Sequence, residues 1–134
     1  MDAALRAFVR ERAARRCEYC RLHEDDAGSL EFQVEHIVAR QHGGTDDPDG
    51  LCWACAQCNW AKGPNLASLL GGKLYPLFNP RKQSWSRHFR WDLTTLVGKT
   101  KTGIVTVQVP NINDPVRVML REILLFEGRF PPQE

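Results

Sequence analysis

The chain has 134 residues, 43% of them hydrophobic and 25% charged, which is the length of one domain at a near-average globular composition. That excludes collagen-like repeats, a coiled-coil rod and a wholly disordered chain, and no apolar run approaches the roughly 20 residues of a membrane span. The net charge of +2 hides a segregation: residues 24–50 hold eight acids against Arg40 alone, whereas residues 51–91 hold six basic residues and no acid. The acid-free stretch suits an anionic partner, with Lys62, Lys73, Arg81, Lys82, Arg87 and Arg90 as phosphate contacts. A solvated basic face is the plainer reading of the same charges.

Residues 1–16 are expected to form an amphipathic helix, with Leu5, Phe8, Val9 and Arg12 at helical spacing. The segment is rich in Arg and carries Asp2 and Glu11, so it does not read as a secretion signal, and a cytoplasmic location is expected. Its Arg10, Arg12, Arg15 and Arg16 either reach a nucleic-acid backbone or solvate the outer face. Next come two Cys-x-x-Cys pairs, Cys17/Cys20 and Cys55/Cys58. In a cytosolic chain such pairs read as a four-thiolate zinc site before they read as disulfides. Two tight turns, each aiming two sulfurs at one ion, complete a tetrahedron. Four thiolates and Zn²⁺ change the formal charge by −2, so any affinity for nucleic acid must come from the basic segments. Cys52 is left over and reads as a small buried residue rather than a fifth ligand.

Between the pairs, residues 32–37 alternate apolar and polar as a half-buried strand does. Arg40, His42, Gly43-Gly44 and residues 46–50 then spell a loop. Leu51 to Ala54 reads as a second strand, and residues 59–62 as a short helix stopped by Gly63-Pro64. Further on, Trp85, His88, Phe89 and Trp91 suggest a packed aromatic cluster, and Leu93 to Val97 a strand. Residues 104–109 are β-branched at alternate positions and read as strand on propensity. Asp114-Pro115, followed by Val116, Met119, Leu120, Ile123 and Leu124, predicts a capped helix ending at Gly128.

Taken together, Cys17-x-x-Cys20, Val34-Glu35-His36-Ile37, Gly43-Gly44, Leu51, Cys55-x-x-Cys58-Asn59 and Lys62-Gly63 resemble the HNH endonuclease family over about residues 12–63. The segment from Leu77 through Arg81 to Trp85, His88-Phe89 and Trp91 resembles the stretch just after the motif in small stand-alone bacterial HNH proteins. Gly103, Val107, Asn113 and Arg121 fit that longer pattern more loosely. The resemblance implies an α+β fold: a ββα-metal (His-Me) finger core with a four-cysteine zinc site, an N-terminal helix and a C-terminal α/β extension. It implies one HNH domain over 1–134, divided into helix 1–16, zinc-clamped core 17–63 and extension 64–134. For residues 104–109 it implies helix, against the strand propensity.

The implied activity is metal-dependent hydrolysis of DNA phosphodiesters. His36 matches the general base, a role that suits an imidazole titrating near neutrality. Glu35 and Asn59 match the holders of a single divalent ion, and hard oxygen donors suit Mg²⁺ or Mn²⁺. Adjacent strand residues point to opposite faces, so Glu35 and His36 serve one phosphate only if the strand ends or distorts there. Arg40, His42, Lys62 and Arg16 are the candidate DNA contacts. One departure stands out: the family's central Asn, which braces the loop and orients the histidine, is Gly50 here, with Asp47 or Asp49 nearby to replace it. DNA is the expected partner, no membrane is involved, and oligomeric state is open. The alternative from another class is a catalytically inactive zinc-stabilised module that binds DNA or protein.

Overall fold

The computed structural model describes residues 1–132. Its architecture is α+β, in the chain order α1 (Ala3–Arg12), β1 (Gln33–His36), β2 (Leu51–Ala54), α2 (Ala56–Lys62), β3 (Ala67–Leu70), β4 (Lys73–Pro76), α3 (Trp85–His88), β5 (Phe89–Asp92), β6 (Thr95–Gly98), α4 (Lys101–Gln108) and α5 (Pro115–Phe126). The described strands pair as three antiparallel hairpins, β1–β2, β3–β4 and β5–β6. No described helix is long and apolar enough to cross a membrane.

Helix α1 starts where Asp2 accepts from the Leu5 amide at 2.8 Å, a cap that satisfies an otherwise orphaned donor. It stops at Arg12 rather than Arg16 because Ala14 and Arg15 take positive φ of 54° and 60°. That turn delivers Cys17 into the first knuckle. Val9 is fully buried while Phe8 is half exposed, its ring covered by the Arg12 guanidinium at 5.2 Å. All four arginines expected on this helix have partners within the chain. Arg10 pairs with Glu24 at 2.5 Å and Arg15 with Glu11 at 3.0 Å. Arg12 donates to the carbonyls of Pro48 and Leu51, and Arg16 to that of Arg21.

The β1–β2 hairpin carries the core. All four residues of β2 are buried, and Trp53 packs on Phe32 at 6.0 Å between ring centroids. The aromatic cluster forms as expected, with Trp85 5.2 Å from Phe89 and 5.8 Å from Trp91. A hairpin that the sequence pattern does not announce, β3–β4, turns through Gly71 and Gly72, both at positive φ, the geometry that two-residue hairpin turns demand. Leu93, at φ 54°, belongs to the turn between β5 and β6, so the second strand begins at Thr95.

Residues 104–109 fall in and just after α4, correcting the propensity for strand. Thr100 caps the helix through the Gly103 amide. Helix and hairpin then approach at their backbones: a Cβ on Gly103 would lie 2.1 Å from the His88 carbonyl oxygen, and one on Gly98 2.3 Å from the Ile104 nitrogen. Packing decides the conformation here, overriding side-chain preference. Gly103→Ala is therefore expected to destabilise by about 1–3 kcal/mol through overpacking, read as a lower midpoint in urea unfolding. A wild-type midpoint would contradict the close approach.

Helix α5 begins and ends as the sequence predicts, with the Asp114 cap and the Gly128 stop. Its buried side is different. Arg117, Arg121 and Leu124 face inward, while Val116, Met119 and Ile123 are exposed. The two arginines displace the apolar residues from the interior because they serve acceptors there, Arg121 at the Thr94 and Ile112 carbonyls and Arg117 at the cysteine cluster.

Candidate functional site

Two centres adjoin. The first is the cysteine cluster. Cys17 and Cys20 come from the turn after α1, and Cys55 and Cys58 from the start of α2, where the Cys55 sulfur also accepts from the Cys58 amide. The four sulfurs lie within 4.8 Å of one another and all are buried. The Cys20–Cys55 separation of 3.8 Å is far beyond a disulfide's roughly 2.0 Å. It equals the edge of a tetrahedron of about 2.3 Å zinc–sulfur bonds, which is also about 3.8 Å. Burial pushes the Cys17 thiol well up, so thiolates at this depth require a cation among them. Cys52 stays outside, as expected, and its sulfur meets the Tyr19 hydroxyl and Glu35 at 3.6 Å.

Arg117 is a member of this centre that the sequence does not announce. Its Nη2 donates to the Cys58 sulfur at 3.0 Å and reaches Cys55 at 3.9 Å. Its Nη1 donates to the Pro110 carbonyl. Burial by itself would lower the guanidinium's pKa, but the charges of Cys58, Cys20 and Cys55 outweigh it and hold Arg117 cationic. A four-thiolate zinc centre carries two negative charges, and Arg117 compensates one while tying α5 to the knuckles. Only its place in the first turn of α5 would have marked it, and separations of 62 and 59 residues from its two sulfur partners hide the pairing.

The second centre is an open hollow of about 210 Å³ lined by Glu35, His36, Arg40 and Asn59, among others. The hairpin register sets it up: Glu35 sits opposite Cys52, and His36, the last residue of β1, opposite Leu51. Helix α2 runs alongside and supplies Asn59. The loop between the strands curls back through the two glycines: Gly43 takes φ 91°, and a Cβ on Gly44 would sit 1.7 Å from the Val38 carbonyl oxygen. That curl brings Asp46 to His36, whose Nε2 lies 2.8 Å from Asp46 Oδ1. Arg40 donates to the same oxygen at 2.6 Å. His36 first, then Arg40, hold the Asp46 carboxyl below its usual range. The brace on the histidine is thus Asp46, whereas Asp47 caps a turn through the Asp49 amide.

The three residues expected to share one task line the hollow but have separate partners. Asn59 Nδ2 donates to Gln33 Oε1 at 2.7 Å, leaving its carbonyl oxygen uncommitted. Glu35 is buried, with its Oε1 2.6 Å from Lys62 Nζ and 3.3 Å from the Tyr19 hydroxyl. Burial raises the Glu35 carboxyl and Lys62 opposes the rise.

Lys62, a candidate DNA contact on its sequence position, is instead turned inward: it is 2% exposed and committed to Glu35 and the Ile37 carbonyl. Arg81 is likewise turned inward, paired with the buried Glu18. The acid-free stretch therefore does not form one basic face, because acids from earlier in the chain claim two of its six cations. Lys73, Lys82, Arg87 and Arg90 are exposed. So are His42 and Arg40, while Arg16 is half-buried and does not line the hollow. At Gly50 a Cβ would meet only the Thr45 carbonyl oxygen, at 3.9 Å, so a side chain has room there.

Residues 17–65 match the family model described as HNH endonuclease. This segment is of the HNH endonuclease family. The HNH segment spans both knuckles, the β1–β2 hairpin, α2 and the hollow. No curated protein and no solved structure matches the chain significantly.

Proposed function

We infer that the protein is a metal-dependent DNA endonuclease, with residues 1–134 acting as one HNH domain, and with zinc held by Cys17, Cys20, Cys55 and Cys58. The observation that carries this reading is the convergence of His36, Glu35, Asn59 and Arg40 on one solvent-open hollow beside the cysteine cluster. A purely structural zinc module has no use for that set.

In this reading His36 takes the proton from the attacking water. Asp46 holds the ring through Nε2 and stabilises the imidazolium that forms. Arg40, at the hollow's edge, steadies the phosphate. Asn59 Oδ1 and the less engaged Glu35 Oε2 are oxygen donors suited to Mg²⁺ or Mn²⁺. That ion would supply Lewis-acid stabilisation of the phosphate and the leaving oxygen. The Glu35–Lys62 pair favours the other reading, a zinc-stabilised DNA-binding or interaction module without hydrolysis, because Lys62 already neutralises the carboxylate.

Incubation of zinc-loaded protein with supercoiled plasmid separates the two. Nicking that appears with Mg²⁺ or Mn²⁺ and stops with chelator is expected, whereas intact plasmid under every metal would leave only the non-hydrolytic reading. Asp46→Asn is expected to lower kcat with KM unchanged, by less than the roughly 10²–10⁴-fold that proton transfer contributes. Unchanged kcat would remove Asp46 from the mechanism.

A further inference from the structure

A cavity of about 800 Å³ shares no lining residue with the hollow and is lined by Arg16, Arg21, Trp85, Arg90, Trp91 and Lys99, among others, with no acidic side chain among the described residues of its wall. Two of its cations are set by neutral partners: Lys99 Nζ donates to the Ser86 carbonyl and Arg16 Nη1 to the Arg21 carbonyl. The Arg21 guanidinium lies 5.0 Å over the Trp85 ring. Among the described residues Arg16, Arg90 and Lys99 enter no ion pair, unlike Arg10, Arg15, Arg40, Lys62 and Arg81, which all meet carboxylates. Trp91, half-buried between Trp85 at 5.8 Å and Phe130 at 4.7 Å and with the Arg121 guanidinium 5.4 Å over its ring, lines the groove among these charges. Spaced cations beside an aromatic platform match a phosphodiester strand, with phosphates against the cations and a base against the ring. Buried Tyr19 links the walls of the two sites through the interior: its carbonyl accepts from Trp85 Nε1 and its hydroxyl meets Glu35.

We propose that this groove is a second DNA-binding surface, gripping the phosphate backbone of the strand that enters the HNH hollow. It rests on the reading of the hollow as a DNA-cleaving site. The test is fluorescence anisotropy of zinc-loaded protein with labelled duplex and single-stranded DNA, without Mg²⁺, over a salt series. The double variant Arg90→Glu with Lys99→Glu is expected to weaken binding about tenfold or more and flatten the salt slope by about two units. The control, Lys73→Glu with Lys82→Glu, makes the same charge change elsewhere and is expected to move affinity far less. Arg90→Gln with Lys99→Gln gives the same ordering should the reversal fail to fold.

Equal affinity of groove and control variants would overturn the proposal. So would displacement of DNA by adenosine monophosphate as effective, per molecule, as by unlabelled oligonucleotide, which would mark a mononucleotide site. Wild-type nicking with no effect of the groove variants removes the groove alone. Groove-dependent binding without nicking removes the nuclease reading alone.

Discussion

Cys17→Ser is expected to lose bound zinc and the cooperative fold together. Serine does not ionise at neutral pH and cannot supply the fourth thiolate, and the remaining three sulfurs are buried with it. Zinc binding and folding are linked in small metal-stabilised folds, where the ion contributes roughly 10–16 kcal/mol of apparent free energy. Here the loss spreads, because each knuckle holds a different element: the first anchors the end of α1, the second the start of α2, and Arg117 ties α5 to the sulfurs of both Cys55 and Cys58. Zinc released per mole of protein and the far-ultraviolet melting curve check this. One equivalent of zinc with a wild-type melt in Cys17→Ser would contradict the structural role of the cluster.

Lys62→Met is expected to destabilise by roughly 3–5 kcal/mol at neutral pH, the usual effect of stranding one member of a buried pair. The stranded group is Glu35, whose remaining neighbours, the Tyr19 hydroxyl and the Cys52 thiol, supply no charge. Burial already raises the Glu35 carboxyl, and loss of the ammonium raises it further. A carboxyl whose folded pKa exceeds its unfolded value binds its proton more tightly in the fold, so stability rises as pH falls through the folded pKa. The variant should therefore recover part of its loss in mildly acidic solution. Urea unfolding at neutral and at mildly acidic pH measures both effects. Wild-type stability with weakened DNA binding would instead make Lys62 the phosphate contact its sequence position suggests.

The local elements were legible where chemistry is local. The knuckle spacing marks the cysteine cluster, the alternation around Val34 marks β1, and Asp114-Pro115 with Gly128 bounds α5. Residues 104–109 were not legible, because the contacts that make them helical are backbone approaches at Gly98 and Gly103. Lys62 and Arg81 read as surface cations for a related reason: their carboxylate partners, Glu35 and Glu18, are 27 and 63 residues away. Asp46 was hidden among three aspartates, and only the curl at Gly43-Gly44 selects it over Asp47 and Asp49. Gly50, where the resemblance implies an asparagine, leaves open space at its Cβ position. The fold therefore does not require a glycine there, and Asp46 supplies the brace on His36.

Whether His36 is the base of a DNA-cleaving centre is tested most directly by one rate comparison. Nicking of supercoiled plasmid is measured for wild type and His36→Ala at matched zinc content, with Mg²⁺ or Mn²⁺ present. His36 lies at the open end of β1 with its side chain partly exposed, so its removal leaves the zinc centre and the melt intact. A general base predicts a loss of about 10²–10⁴-fold in rate with zinc and stability unchanged. A His36→Ala protein that nicks plasmid at the wild-type rate would contradict that role.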